Sequence, residues 1–272
     1  MRSTAEAGYA TLLCNFAPDD PLLCHLRGIR RADGARIDRG RRFRGAIRGH
    51  GAGSIHRCPA SPRHCDPAGG GDAVLAIDNA GTVTPGGNFL VRTCGLWAMQ
   101  GFNVVVPGPP NGQSLIGRRS TPAYAAELDR VVDFARSRSN VPVWIIGTSQ
   151  GSTGAVNGGA HLGSKLAGVV LTSSVTQRNR ADETLFDSEP GLISVATLVV
   201  ANTADTCRAT PPGDAPRILA AVVRSPRKEL MMFESRETRS DPCQAASPHS
   251  YLGIEAAVVQ RIGDWINAMP GR

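Results

Sequence analysis

The chain has 272 residues, and its apolar content of 41% is ordinary for a globular protein, so we expect one sizeable α/β domain or a domain with an extension. No apolar stretch has the length of a membrane span. The formal net charge is +7, but residues 1–65 hold 12 Arg and 5 Asp or Glu, while residues 66–272 hold 18 basic and 18 acidic residues. Because the whole positive excess lies in the first quarter, a nucleic-acid-binding patch on the folded domain is not supported.

The first 67 residues differ in character from the rest of the chain. Residues 27–67 are rich in Arg and Gly and follow neither a helical nor a strand period, which predicts disorder. Three interpretations stay open: a basic tail that binds nucleic acid or acidic partners, a solvated tail without a role, and a mis-called start or shifted reading frame. The abrupt change near Pro67 favours the third. Residues 1–24 contain no convincing signal peptide, because polar residues interrupt their apolar stretch.

From residue 70 onward, strand-like and helix-like segments alternate. Short apolar runs predict strands over 74–77, 102–106, 142–146, 167–173, 196–202 and 228–233. Apolar spacing and capping residues predict helices over 88–100, 121–137, 150–161, 214–223 and 253–268. Residues 174–195 follow no clear period and predict a loop or cap over a site.

These elements predict the fold class. Strands that are apolar throughout and alternate with helices are typical of a mostly parallel sheet with helices on both faces. We therefore predict an α/β domain over residues 68–272, preceded by a separate segment over residues 1–67. The first strands of the sheet cannot be identified from the sequence.

The most informative motif is Gly-Thr-Ser-Gln-Gly at residues 147–151, which follows a predicted strand and opens a small-residue helix. A sharp strand-to-helix turn would hold the Ser149 hydroxyl out of the sheet beside a base. Gly147 and Gly151 would be small because larger residues would clash across so tight a turn. The pentapeptide alone is weak evidence, and the flanking elements give it weight. Ser149 is therefore the candidate nucleophile.

A serine nucleophile needs a base, and the base needs an acid that orients it. Only two histidines follow Ser149. His161 lies near the far end of the predicted helix and should point away, whereas His249 lies in a loop before the last helix and is the preferred base. Asp205 stands just past the strand 196–202 and is the preferred acid. The weaker candidates for the acid are Asp182, Glu183, Asp187, Glu189 and Asp241.

Two cysteines flank these residues, since Cys207 follows Asp205 by two positions and Cys243 precedes His249 by six. If Asp205 bonds to His249, their loops are neighbours and a Cys207–Cys243 disulfide becomes geometrically reasonable. The alternative is a pair of free buried thiols. Cys94 is predicted to be a core residue of its helix.

Acyl-transfer chemistry also needs hydrogen-bond donors for an oxyanion. The backbone N–H of Gln150, at the start of the helix, is one candidate. The triglycine turn, with Gly70 or Gly71, is the other, and Gly71 is our choice; a flexible linker is the competing interpretation of that turn.

The segments GTSQG, ANTADTC and DPCQAASPHSYLGIE bring Ser149, Asp205 and His249 in the chain order Ser, Asp, His. Together with NFLVR, GFNVVV and GVVLTSSVT, they resemble the α/β-hydrolase superfamily, in detail its secreted or periplasmic bacterial serine hydrolases of dienelactone-hydrolase-like type. The resemblance covers roughly residues 68–270 and implies an acyl-enzyme intermediate with no metal or organic cofactor. It does not extend to the residues before 68, where the family places its first strands and oxyanion loop.

We therefore expect a serine hydrolase that acts on small-molecule carboxylic esters. One alternative is a catalytically impaired or non-enzymatic binding protein with the α/β-hydrolase fold. Another is a nucleic-acid binder that acts through its Arg-rich tail. The family resemblance and the expected disulfide favour a periplasmic or secreted location.

Overall fold

The computed structural model describes residues 88–108 and 114–269 in full, together with the backbone of four short strands that precede them. The strands are β1 (Ala10–Asn15), β2 (Ile55–Arg57), β3 (Ala76–Ile77), β4 (Val83–Thr84), β5 (Phe102–Pro107), β6 (Val143–Ser149), β7 (Gly168–Ser174), β8 (Ala196–Asn202) and β9 (Lys228–Phe233). The helices are α1 (Phe89–Arg92), α2 (Cys94–Met99), α3 (Pro122–Arg138), α4 (Gln150–Leu162), α5 (Ala215–Ala221) and α6 (Glu255–Asn267).

The central sheet has seven strands in the order β2-β5-β1-β6-β7-β8-β9. Strands β6 to β9 pair in parallel, each with the next in sequence. Strand β1 runs antiparallel to both of its neighbours, β5 and β6, and β2 runs antiparallel to β5. Five of these seven strands therefore point the same way, and the predicted α/β class with a mostly parallel sheet is confirmed.

Alternate residues of the parallel strands enter two separate cores, one on each face of the sheet. Trp144, Ile146 and Val170 pack on one face with the buried residues of α2 and α6, while Ile145 and Val169 pack on the other with α3, α4 and α5. This alternation follows from the two-residue period of a strand. Both faces are covered by helices, as the sequence predicts.

The helix predicted over 88–100 is broken into α1 and α2. Its predicted N-cap is present, because the Asn88 side chain accepts a hydrogen bond from the Leu90 N–H. The break occurs at Thr93, whose hydroxyl donates to the Phe89 carbonyl at 2.7 Å and also lies 3.2 Å from the indole nitrogen of Trp97. A threonine hydroxyl that bonds back to the preceding turn competes with helix propagation. The prediction of one continuous helix was wrong for this reason.

Two strands of the sheet come from the first 67 residues. No strand was predicted at β2, which lies within residues 27–67. Three residues of mixed polarity do not specify an extended conformation by themselves. Hydrogen bonding to β5 stabilises it here. The predicted strand 74–77 is described only at β3, which pairs with β4 outside the central sheet. The boundary at residue 67 stays a prediction.

The irregular segment predicted over 174–195 contains two short 3-10 turns, Leu185–Ser188 and Pro190–Leu192. Leu185 and Ile193 are fully buried in the core that contains α4, so this segment packs on that helix. Among the residues that the structure describes, no helix is long and apolar enough to cross a membrane.

Candidate active site

Ser149 lies at the junction of β6 and α4 with φ 51° and ψ −127°, a backbone conformation that non-glycine residues rarely adopt. Holding a residue there costs of order 1–3 kcal/mol, so the surrounding structure must impose it. A Cβ added to Gly147 would lie 2.3 Å from the Gly151 carbonyl oxygen, which explains the small residue at this position. The predicted strand–turn–helix at Ser149 is therefore present.

Asp205 is the acidic residue that the structure brings to His249. It follows β8 and is only 6% exposed. Its Oδ1 accepts a hydrogen bond from the Cys207 N–H at 2.8 Å, and its Oδ2 accepts one from the Thr210 hydroxyl at 2.9 Å. The same Oδ2 lies 3.0 Å from Nδ1 of His249. A buried carboxylate needs several such donors to offset the loss of water.

His249 lies in a short 3-10 turn, Pro248–Ser250, between β9 and α6, and is 1% exposed. Because Nδ1 faces Asp205, Nε2 is the ring nitrogen on the far side from the carboxylate. An imidazole held in this way has the orientation that a general base requires. The structure thus brings together the predicted base and the preferred acid.

Hydrogen bonds also join the His249 turn to the strand end beside Ser149. Ser149 pairs with Ser174 of β7 across the parallel ladder. The adjacent Ser173 donates its hydroxyl to the His249 carbonyl at 2.7 Å, and its backbone N–H donates to the hydroxyl of Tyr251 at 3.2 Å. All three predicted triad residues therefore lie at the carboxyl edge of β6, β7 and β8.

Backbone strain concentrates at this edge. The structure describes five non-glycine residues with positive φ, and three of them are Ser149 (51°), Ser173 (40°) and Tyr251 (58°). Each of the last two makes a hydrogen bond that ties the β7 end to the His249 turn. Clusters of this kind are typical of functional sites, where the surrounding contacts enforce a costly conformation.

Asn202, the last residue of β8, is a site residue that sequence reasoning missed. Its side chain is fully buried and makes four hydrogen bonds. Nδ2 donates to the carbonyls of Ser235 (3.0 Å) and Pro248 (2.8 Å), and Oδ1 accepts from the N–H groups of Ala204 and Ser235, each at 3.1 Å. One amide thereby fixes the loops that carry the acid and the base. The only signal in the sequence was its place at the end of a predicted strand.

Tyr251 and Ser152 support the site from either side, and nothing in the sequence pattern marked them. The Tyr251 hydroxyl donates to the Val200 carbonyl at 3.1 Å, and burial raises the pKa of this phenol above its ordinary value, so it stays neutral. The Ser152 hydroxyl donates to the Ser149 carbonyl at 2.7 Å and accepts from the Val175 N–H at 3.0 Å. Both side chains connect strand ends rather than face solvent.

The predicted disulfide between Cys207 and Cys243 is present, with the two Cα atoms 4.7 Å apart. It joins the loop of Asp205 to the loop that precedes His249, so the alternative of two free thiols is wrong. Cys94 is buried as predicted, and its thiol donates to the Leu90 carbonyl at 3.5 Å.

The backbone N–H of Gln150 is the first of α4, one of the amides at a helix start that have no intrahelical partner. Its side-chain Nε2 donates to Oδ1 of Asn179 at 2.8 Å. Asn179 belongs to the irregular segment 174–195, which therefore reaches the nucleophile turn. Gly71, predicted to supply the second oxyanion donor, lies outside the described residues.

The remaining candidates other than Asp241 have partners away from His249. His161 lies at the far end of α4, 3.0 Å from the Asn157 carbonyl and 3.5 Å from Glu189. Glu183 accepts hydrogen bonds from Ser120, and Arg178 pairs with both Asp182 and Asp187. Asp241 is exposed.

In the part of the chain that the structure describes, no group of three or more His, Cys, Asp or Glu residues could hold a metal ion.

Comparisons with known proteins find matches only among solved structures, at low sequence identity. No family model matches the sequence, and no curated protein matches it. A monoacylglycerol lipase from Paleococcus ferrophilus is 14% identical with a TM-score of 0.43, over 66% of this chain and 90% of that one. A structure from a study of metagenome-derived lipolytic enzymes is 13% identical with a TM-score of 0.44, over 64% and 85%. A protein described as a candidate dienelactone hydrolase, from Klebsiella pneumoniae, is 15% identical with a TM-score of 0.44, over 66% and 81%.

Proposed function

We propose that this chain is a serine hydrolase of the α/β-hydrolase type that cleaves carboxylic esters through an acyl-enzyme intermediate. The observation that carries the proposal is the buried contact of 3.0 Å between Asp205 Oδ2 and His249 Nδ1, at the same sheet edge as the strained Ser149 turn. A carboxylate, an imidazole and a serine on a sharp turn, contributed by three different loops, form the arrangement that activates a serine hydroxyl.

In the proposed reaction, the Ser149 hydroxyl attacks the acyl carbonyl while Nε2 of His249 takes its proton. Asp205 keeps the proton of the imidazole on Nδ1 and stabilises the imidazolium that forms, without taking a proton itself. Because both side chains are almost fully buried, water competes little for these hydrogen bonds.

The tetrahedral intermediate places negative charge on the former carbonyl oxygen. The Gln150 N–H at the start of α4 is the proposed donor to this oxyanion, and the helix dipole favours the charge. Gly71 is the proposed second donor. Collapse of the intermediate expels the alcohol, which receives the proton from His249, and a water molecule then hydrolyses the acyl-enzyme by the same route.

Fluorophosphonate labelling followed by peptide mapping tests the nucleophile. The wild-type protein is expected to carry the label on Ser149, and Ser149→Ala is expected to lose both labelling and ester turnover, by roughly 10⁵-fold or more in kcat. Ser137→Ala, on an exposed position of α3, is the matched control and should behave as the wild type. Full turnover in Ser149→Ala, or no label in a folded wild type, would refute the proposal and favour a binding protein.

A panel of esters with acyl chains of increasing length gives the substrate class. The structure of residues 174–195 supports a cap over the site, because Asn179 contacts the Gln150 side chain.

We also propose an oxidising location, periplasmic or extracellular, since disulfides such as Cys207–Cys243 persist mainly there. Cell fractionation with an antibody against the chain tests the location.

A further inference from the structure

Thr210 completes a hydrogen-bonded ring with the acid and the base. Its hydroxyl oxygen lies 2.9 Å from Asp205 Oδ2 and 3.0 Å from His249 Nδ1, and those two atoms are themselves 3.0 Å apart. Thr210 is only 2% exposed. Each of the three groups therefore touches the other two, away from bulk water.

The loop holds this hydroxyl in a defined place. The Thr210 N–H donates to the Cys207 carbonyl at 3.1 Å, which forms a turn anchored by the disulfide. The carbonyl of the preceding Ala209 accepts hydrogen bonds from the N–H groups of Thr176 and Gln177 at 3.0 and 3.2 Å. The turn is thus attached both to the base loop and to the segment that follows β7.

Counting hydrogens assigns the tautomer of His249. A threonine hydroxyl has one hydrogen, and here it is donated to Asp205 Oδ2. The Thr210 oxygen then presents a lone pair to Nδ1, as does the carboxylate, so Nδ1 has two acceptors and must carry the proton. In a neutral imidazole Nε2 is then unprotonated, which is the form that accepts a proton from a serine.

We propose that Thr210 is a positioning residue that holds His249 in the Nδ1–H tautomer and fixes the Asp205 carboxylate against it. This inference rests on the serine-hydrolase function proposed above. Thr210 does not contact the reacting atoms and acts only through the acid and the base. Its loss should therefore lower kcat and leave KM nearly unchanged.

Thr210→Val tests the inference, because valine keeps the branched shape and removes the hydroxyl. Thr210→Ser is the matched control, since it keeps the hydroxyl and loses a methyl group. We expect kcat of Thr210→Val to fall roughly 10- to 100-fold, a part of the 10²–10⁴-fold that general base catalysis contributes, and Thr210→Ser to remain near wild type. Thr210→Ala removes the same hydroxyl and replaces the valine variant if that variant does not fold.

The second readout is the imidazole itself, observed by NMR on protein with ¹⁵N-labelled histidine. Wild type and Thr210→Ser should show a protonated Nδ1 at His249 with its proton far downfield of the amides, and Thr210→Val should lose or shift this signal. An unchanged signal in Thr210→Val, or an unchanged kcat, would overturn the inference, even if the melting temperature fell. Labelling of wild-type Ser149 separates the two proposals: without it both fail, and with it these outcomes remove only the role of Thr210.

Discussion

The two halves of the candidate site are built by different means. The nucleophile side is made by backbone: β6, the turn at Ser149 and the start of α4 are continuous in sequence, and close packing at Gly147 shapes the turn. The acid–base side is made by side chains and a disulfide that join loops distant in sequence, through Asn202, Thr210 and the Cys207–Cys243 bridge. Local geometry thus secures the serine, whereas tertiary contacts secure the acid–base pair that we propose activates it.

Because a disulfide joins the loops of the acid–base side, its removal should have the largest effect on the stability of the protein. Replacing both Cys207 and Cys243 by Ser opens a loop with a sequence separation of 36 and should lower the free energy of unfolding by about 4 kcal/mol on the chain-entropy model. Urea denaturation of the variant and of wild type measures the loss. Wild type in reductant is the control and should approach the variant, while the variant should not respond to reductant. Equal stability of variant and wild type would show that the loops are held without the bridge.

The nucleophile side should be destabilised by added side-chain volume rather than by the loss of a cross-link. Gly147→Ala places a Cβ 2.3 Å from the Gly151 carbonyl oxygen, so β6 and α4 must separate, at a cost of about 1–3 kcal/mol in the free energy of unfolding. Gly95→Ala in α2 is the control, because its added Cβ meets nothing within 4 Å. Alanine is the better helix former, so that variant should be as stable as wild type or slightly more so. A Gly147→Ala protein as stable as wild type, with its ester turnover unchanged, would contradict the tight turn.

The smallest expected effect is on stability at acid pH, and it concerns Asp214, which bonds to the loop after β7. Hydrogen bonds from Thr176 and then from Gln177 lower the pKa of Asp214 below its ordinary value of 3.8. A lowered carboxylate pKa contributes stability that is present above the unfolded-state value and is lost as the pH falls through the folded-state value. Asp214→Asn should therefore flatten the pH dependence of the melting temperature below about pH 4.

Asp241→Asn is the control for that measurement, since Asp241 is exposed. Its melting curves should follow the wild type across the same pH range. If the melting temperatures of Asp214→Asn and wild type fall equally at acid pH, the Thr176 and Gln177 contacts do not favour the charged carboxylate over the neutral one.

The sequence by itself was enough for the elements that depend on local pattern. The strands β5 to β9, the turn at Ser149, the cap of α3 at Thr121 and the amphipathic α6 are all where their apolar periods and capping residues predict them. Even the disulfide followed from sequence, because an acid and a base in contact bring the flanking cysteines together. Local chemistry and a two- or 3.6-residue period carry this information within a few neighbouring residues.

Only the tertiary structure decided how the loops are joined. Asn202, Thr210, Ser173 and Tyr251 are ordinary polar residues in sequence, and each acts through a partner between 39 and 78 positions away. The antiparallel places of β1 and β2 likewise depend on contacts that no local window contains. A hydrogen bond between loops is specified by where the sheet brings them, and that position is a property of the whole fold.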